Sequence, residues 1–298
     1  MLPLDDYIEV SRRKYESLIR TSEYRLDDDV LNARVRFRFV SFDGNGRPRF
    51  RDLAECLADH AVTYCLSARR RKAPITPDEW SALSREARHL LRHSARSGEA
   101  GEMLLYFLVE AELGAPQMVT KVDLKTSPHL EVNGSDGIHM AYCAEDDLLD
   151  LFFGEAKLYK DVRAALRSAR ESLLAFHKDQ MVSHELGLVT SHFKYADEAL
   201  RELVVKYIDP YTLEPNYRIN HVCLVGFTWD EYQRLLSPTE PSVLETRFIA
   251  QYQLEAASLE ALFRSLFEGI LQAYHLEVFF LPFECVDGFR TMFMEAIS

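Results

Sequence analysis

The chain has 298 residues, 47% of them hydrophobic, enough for one large or two modest domains. No apolar run reaches transmembrane length, and the opening MLPLDDYIEVSRRK is acidic and then basic, so neither a membrane span nor a secretory signal is expected. A formal charge of −12, from 47 acidic against 35 basic residues, argues against a free-standing nucleic-acid binder: any such contact is local or supplied by a partner.

Residues 1–97 are read as an accessory α+β region. A helix is predicted over 6–20. Residues 33–42 alternate, with Val35, Phe37 and Phe39 on one face and Arg34, Arg36 and Arg38 on the other, the pattern of a half-buried strand. Asp43-Gly44-Asn45-Gly46 is a turn; as a calcium loop it fails, because Ala54 stands at the twelfth position. Helices are predicted over 50–67 and 77–93, the second capped by Thr76 with Glu79 three residues on. Between them Arg69, Arg70, Arg71 and Lys72 form the strongest basic cluster, either a solvated loop or a contact to a phosphate backbone. Cys56, Cys65, Cys143, Cys223 and Cys285 are scattered, odd in number and without a C-x-x-C pair. They predict buried thiols in a reducing, cytoplasmic setting, with no structural zinc.

Residues 98–298 are read as the core. A helix over 98–114 carries Leu105, Leu108, Val109 and Glu112 at helical spacing and stops at Gly114 and Pro116. Glu102 near its start is either a charge favoured by the helix dipole or a ligand leaning over a metal. Residues 117–125 are expected as a strand. Next come two apolar runs, 138–143 and 148–153; the first is preceded by Gly134-Ser135-Asp136-Gly137 and the second is followed by Gly154-Glu155-Ala156-Lys157. If the runs pair as a hairpin, Asp136 and Glu155 lie at the same end of adjacent strands. Alternation puts Glu155 and Lys157 on one face. Two carboxylates make a hard oxygen site suited to Mg²⁺, or Mn²⁺ in its place, which keeps waters and accepts phosphate oxygens. A lysine beside it orients or deprotonates the attacking water, or neutralises the transition state. The plain alternative is an exposed strand-end ion pair.

A helix over 160–178 buries Val162, Leu166, Ala169, Leu173 and Phe176. Its second stripe, Lys160, Arg163, Arg167 and Arg170, is either solvated or tracks a DNA backbone. His139, His177, Lys178 and Gln180 are weaker candidates. A helix over 195–208, a central strand over 219–229, a helix over 230–236, a long helix over 242–274 with a break near Ala256, a strand over 276–283 and a helix over 286–297 complete the chain. The expected fold is α/β, a mixed central sheet flanked by helices. The long helix's apolar stripe is core or a docking surface.

The order Glu102, Asp136, Glu155, Lys157 on helix, strand start and strand end resembles the PD-(D/E)XK nuclease superfamily, with Ser135-Asp136-Gly137 standing where its Pro-Asp is usual. More narrowly, GSDGIH followed by LFFGEAKLYKDV resembles HamA, the family of nuclease subunits in the Hachiman anti-phage system. The resemblance implies a restriction-endonuclease-like core and a Mg²⁺-dependent DNA endonuclease with Glu102, Asp136 and Glu155 at the metal. It also implies a superfamily 2 helicase subunit that holds the nuclease in check. The rivals are a catalytically inactive subunit that binds nucleic acid or helicase, and a regulatory subunit using its acidic surface. No G-x-x-x-x-G-K-[ST] motif occurs, so any nucleotide-driven gate is external.

Overall fold

The computed structural model describes residues 3–28, 32–71, 76–93, 98–120, 122, 134–195, 197–209, 216–236, 241–271 and 273–298. Six strands form one sheet: β1 (Ile19–Asp28), β2 (Ala33–Val40), β3 (Gly137–Cys143), β4 (Leu148–Tyr159), β5 (Tyr217–Thr228) and β6 (His275–Phe283), in the order β1-β2-β6-β5-β4-β3. The four inner strands are parallel and both edge strands antiparallel. This is the mixed sheet expected. Helices are α1 (Arg12–Leu18), α2 (Phe50–Asp59), α3 (Ala61–Cys65), α4 (Pro77–His93), α5 (Glu99–Leu113) and α6 (Val162–Lys178). Then follow α7 (Met181–Ser191), α8 (Glu198–Ile208), α9 (Glu231–Leu236), α10 (Pro241–Leu271) and α11 (Val286–Ala296).

Central strands buried on both faces read as continuous apolar runs, and β5 and β6 do so from Val222 to Phe227 and from Val278 to Phe283. α5 and α6 cover opposite faces of β4. Phe176 of α6 meets Phe153 at 4.9 Å between ring centroids, whereas Leu105 of α5 sits over the neighbouring Gly154. α10 is one unbroken helix, and Ala256, where a break was expected, is buried. Its stripe from Phe248 through Tyr252 and Phe263 to Phe267 is core; Phe248 packs on Phe39 and Trp229.

Several elements depart from local pattern. The boundary expected at 97 does not divide the sheet, because β2 lies parallel to β6, Val35 opposite Val278. The helix expected over 6–20 is a 3-10 turn at Leu4–Tyr7 and the short α1, capped by Ser11. At Ile19 the chain leaves the helix for β1, which pairs with β2 from Ile19 opposite Val40. The helix expected over 50–67 breaks at His60, whose Nδ1 lies 2.8 Å from the Cys56 carbonyl. α7 had no counterpart among the elements expected from sequence. Of the strand expected over 117–125, the described residues contribute one bridge, Gln117 with His139; 121 and 123–125 lie outside the described residues.

Of the arginine face of β2, Arg34 is exposed as a half-buried strand requires, but Arg36 and Arg38 are not. Arg38 is 3% exposed, and its Nε donates to Glu112 of α5 at 2.9 Å. Arg36 contacts the same carboxylate at 3.1 Å and pairs with the buried Glu277 of β6. An alternating Arg row here marks buried ion pairs.

Candidate active site

The β3–β4 hairpin sets Gly137 opposite Gly154. Just before it, the Asp136 amide donates to the Gly154 carbonyl at 2.7 Å, and the Asp136 Oδ2 accepts from the Ala156 amide at 2.7 Å. The carboxylate is thereby held against β4 between Glu155 and Lys157, which form an ion pair with each other. Two glycines bring α5 onto this strand. A Cβ on Gly154 would stand 2.8 Å from Leu105 Cδ2, and one on Gly101 would stand 3.2 Å from Leu158 Cγ and 3.3 Å from the Ala156 Cβ. This close approach places Glu102, in the first turn of α5, near enough to raise the pKa of Asp136 electrostatically, while the buried Tyr64 hydroxyl donates to Glu102 Oε2 at 3.2 Å. Residues from well-separated parts of the chain therefore meet in the second half of β4, which runs on past the expected strand end to Tyr159.

The charges at this point are not balanced. Burial, then Glu155 and Glu102, push the Asp136 carboxyl well above the usual carboxylate range, against the lowering effect of the Ala156 amide and Lys157. Burial opposes the Lys157 charge, but Glu155 and Asp136 outweigh it, so its ammonium titrates above its ordinary value. Burial followed by the field of Glu155 drives the Cys223 thiol up to about 12. A divalent cation would relieve the crowded carboxylates. Asp136 and Glu155 line a cavity of about 250 Å³ with Ser172 and Phe176 of α6 and His221 and Cys223 of β5. Among the described residues no three His, Cys, Asp or Glu side chains are gathered closely enough to hold a metal, and Glu102 rests on Tyr64 outside that cavity. Two carboxylates lining a cavity with room for several waters fit a hydrated ion, not an all-protein cage.

A stability test follows from the Asp136 shift. An acid whose folded pKa exceeds its unfolded value stabilises the fold only while protonated, and that contribution is lost as pH rises through the folded value. In EDTA, Asp136→Asn is expected to melt above the native chain near neutrality, because an amide oxygen can still accept from Ala156. The gap should close as pH falls to the ordinary carboxylate range. Calorimetry across pH measures it, and a gap independent of pH would refute the shift.

The family model described as HamA matches residues 15–297, which carry this whole arrangement. The chain belongs to the HamA family. It is therefore a component of Hachiman anti-phage defence. No curated protein matches it. The match spans the boundary expected at 97, as the sheet does. Among the described residues no helix is long and apolar enough to cross a membrane.

In this HamA-family chain one positioning residue carried no sequence signal. Glu185 of α7 is fully buried, and its Oε1 accepts from the Ser135 amide at 2.9 Å and lies 3.3 Å from the Ser135 hydroxyl. Gly134, at φ 132°, leaves room for it: a Cβ there would fall 2.0 Å from that oxygen. Glu185 thus clamps the turn that presents Asp136. His221 was also unforeseen, and its Nε2 lies 2.8 Å from that of His177. His139 is a core residue: burial pushes it down to about 3, and its Nδ1 meets the Ala115 carbonyl at 2.9 Å.

The basic candidates divide. Lys160, Arg163 and Arg167 are exposed around the start of α6. Arg170 instead ties α6 to α10, its Nε donating to the Leu266 carbonyl at 2.9 Å. In the N-terminal cluster Arg71 turns inward to Glu9, which also holds the fully buried Lys194 at 2.7 Å. Arg70 pairs with Glu86, and Arg69 is exposed, 3.8 Å from Glu198. Lys72 lies outside the described residues. Arg71 is therefore part of the core's ionic framework and is not presented to a ligand.

Proposed function

We propose that this Hachiman component is a divalent-metal-dependent DNA endonuclease of the PD-(D/E)XK type, restrained in its complex by a superfamily 2 helicase. The observation that carries this reading is the convergence of Asp136, Glu155, Lys157 and Glu102 at the second half of β4, at an electrostatic cost that the fold does not relieve internally. Strongly perturbed groups in a cleft mark functional sites, and a chain that only bound a partner would gain nothing from crowding carboxylates.

In this reading Asp136 and Glu155 hold Mg²⁺ or Mn²⁺, which when bound supplies charge stabilisation at phosphorus and a more acidic water. Lys157, with its raised pKa, is an ammonium at neutral pH; its part is to orient the water and neutralise charge developing on the phosphoryl oxygens, not to remove a proton. Glu102, steadied by Tyr64, adds the third negative charge that favours a cation at Asp136. Ala156 and Glu185 keep Asp136 in place, the first through its amide and the second through Ser135.

The test is plasmid DNA with Mg²⁺ or with EDTA, given the isolated chain and then the complex with its partner. The isolated chain should nick only with the metal, and the complex should stay quiet until ATP and suitable DNA are supplied. A complex that cuts intact plasmid as fast as the free chain without ATP would remove the restraint from the proposal. Arg163 and Arg167 provide a further expectation. Changing both to Ala should weaken DNA binding at every sequence and lower the slope of log affinity against log salt by about one unit for each phosphate no longer neutralised. An unchanged slope, read by fluorescence anisotropy, would mean this face is only solvated.

A further inference from the structure

A second pocket, of about 500 Å³, shares no lining residue with the acidic cavity; it is lined by Gly98, which precedes α5, Gly101 of α5, Lys157, Lys160 and Arg290. Among the described residues its one acidic lining residue is Asp287, which accepts from Arg290 Nη1 at 2.8 Å. Arg290 Nη2 donates to the Leu158 carbonyl at 2.6 Å, so α11 pins this guanidinium to the end of β4, one residue beyond Lys157. Its Nε–H is buried and has no acceptor among the described residues. Lys160 is exposed and pairs with no carboxylate among the described residues. The first turn of the 15-residue α5 opens on the same space, and Gly98 supplies no capping side chain.

We propose that this pocket binds a phosphodiester group of a DNA strand, adjacent to the one held at Asp136 and Glu155. The inference rests on the nuclease reading for the placement of the strand and on the pocket itself for the anion. A guanidinium fixed in place, a free ammonium and the positive end of a helix together suit phosphate oxygens. The volume accommodates the flanking sugars as well as the phosphate. Arg290 would thus orient the substrate backbone from a helix remote in sequence from the motif.

The experiment uses the full chain in EDTA with a short fluorescent single-stranded oligonucleotide, titrated over a series of KCl concentrations. Lys160→Ala and Arg290→Gln should each lower the slope of log affinity against log salt by about one unit. Lys160→Glu should lower it further. Inorganic phosphate should displace the oligonucleotide more effectively from the native chain than from Lys160→Glu. Arg12→Ala, on an exposed helix elsewhere, should leave the slope unchanged. If Arg290→Gln does not fold, judged by circular dichroism, the Lys160 variants decide. Unchanged slopes in folded Lys160 variants overturn the pocket, as does an equal effect of Arg12→Ala, which would reduce it to overall charge. Because binding is read without metal, a chain that shows these slopes but never nicks plasmid upholds the pocket and fells the nuclease reading. A chain that nicks plasmid with unchanged slopes does the reverse.

Discussion

Asp136→Ala and Glu155→Ala are each expected to abolish Mg²⁺-dependent nicking, a loss of several orders of magnitude, in proteins that remain folded. Asp136 just precedes β3 and Glu155 lies in the second half of β4, both beside a cavity, and both contribute little apolar burial. Asp136→Ala removes one backbone acceptor, that for the Ala156 amide, at a cost of about 1 kcal/mol. Against that it relieves the like-charge crowding with Glu155 and Glu102, so its net effect on stability is small. Activity is different in kind. With either carboxylate gone, an oxygen-bearing ligand and much of the negative field at the cavity go with it, and the remaining group cannot hold a hydrated divalent ion against solvent. Supercoiled plasmid, Mg²⁺ and a thermal melt on the same preparation give the answer. Native-like nicking by a well-folded Asp136→Ala protein would sink the site assignment.

Glu112→Ala is expected to be the most destabilising single change among the charged residues of β2 and α5, by about 3–5 kcal/mol. Glu112 accepts from Arg38 Nε at 2.9 Å, contacts Arg36 Nε at 3.1 Å and accepts from the Tyr15 hydroxyl at 2.6 Å. Arg36 keeps Glu277 after the change, but Arg38, almost wholly buried, keeps only uncharged partners, the Phe37 carbonyl and the Tyr15 hydroxyl. An uncompensated guanidinium would then sit between the sheet and α5. Replacing both partners, as Arg38→Met with Glu112→Leu, should recover most of the stability, because a buried ion pair differs little in stability from a well-packed apolar pair. Denaturant unfolding of the three proteins separates these cases. A destabilisation below about 1 kcal/mol for Glu112→Ala would mean water reaches Arg38 and the pair is not buried in solution. The consequence extends to the site, since α5 also carries Gly101 and Glu102.

Local pattern is a sufficient guide where neighbours along the chain decide the outcome. The hairpin that brings Asp136 to Glu155 and Lys157 follows from two apolar runs, glycine-flanked turns and a period of two. The capping box at Thr76 and Glu79 forms with both of its bonds, and Gly114 ends α5 in the left-handed conformation its position calls for. The apolar runs of β5 and β6 announce buried strands. The same logic misleads at β2, because an arginine at every second position looks the same whether water or a glutamate faces it. Arg36 and Arg38 find Glu112 and Glu277 only after α5 and β6 have come from distant parts of the chain. Arg71 turns inward for the same reason, toward Glu9.

Composition and periodicity thus settle the class of fold, and the Asp136–Glu155–Lys157 spacing singles out residues that the structure brings together. Tertiary structure alone decided that β1 and β2 join the motif's sheet, that two glycine contacts bring Glu102 within electrostatic range of Asp136, and that Glu185 clamps the turn. It also decided that Arg290 reaches the end of β4. Each of these is a pairing between segments far apart in the chain. Parallel strand pairing, close helix–strand approach and buried charge depend on which surfaces meet in space, and that meeting leaves no periodic trace in either partner's own sequence.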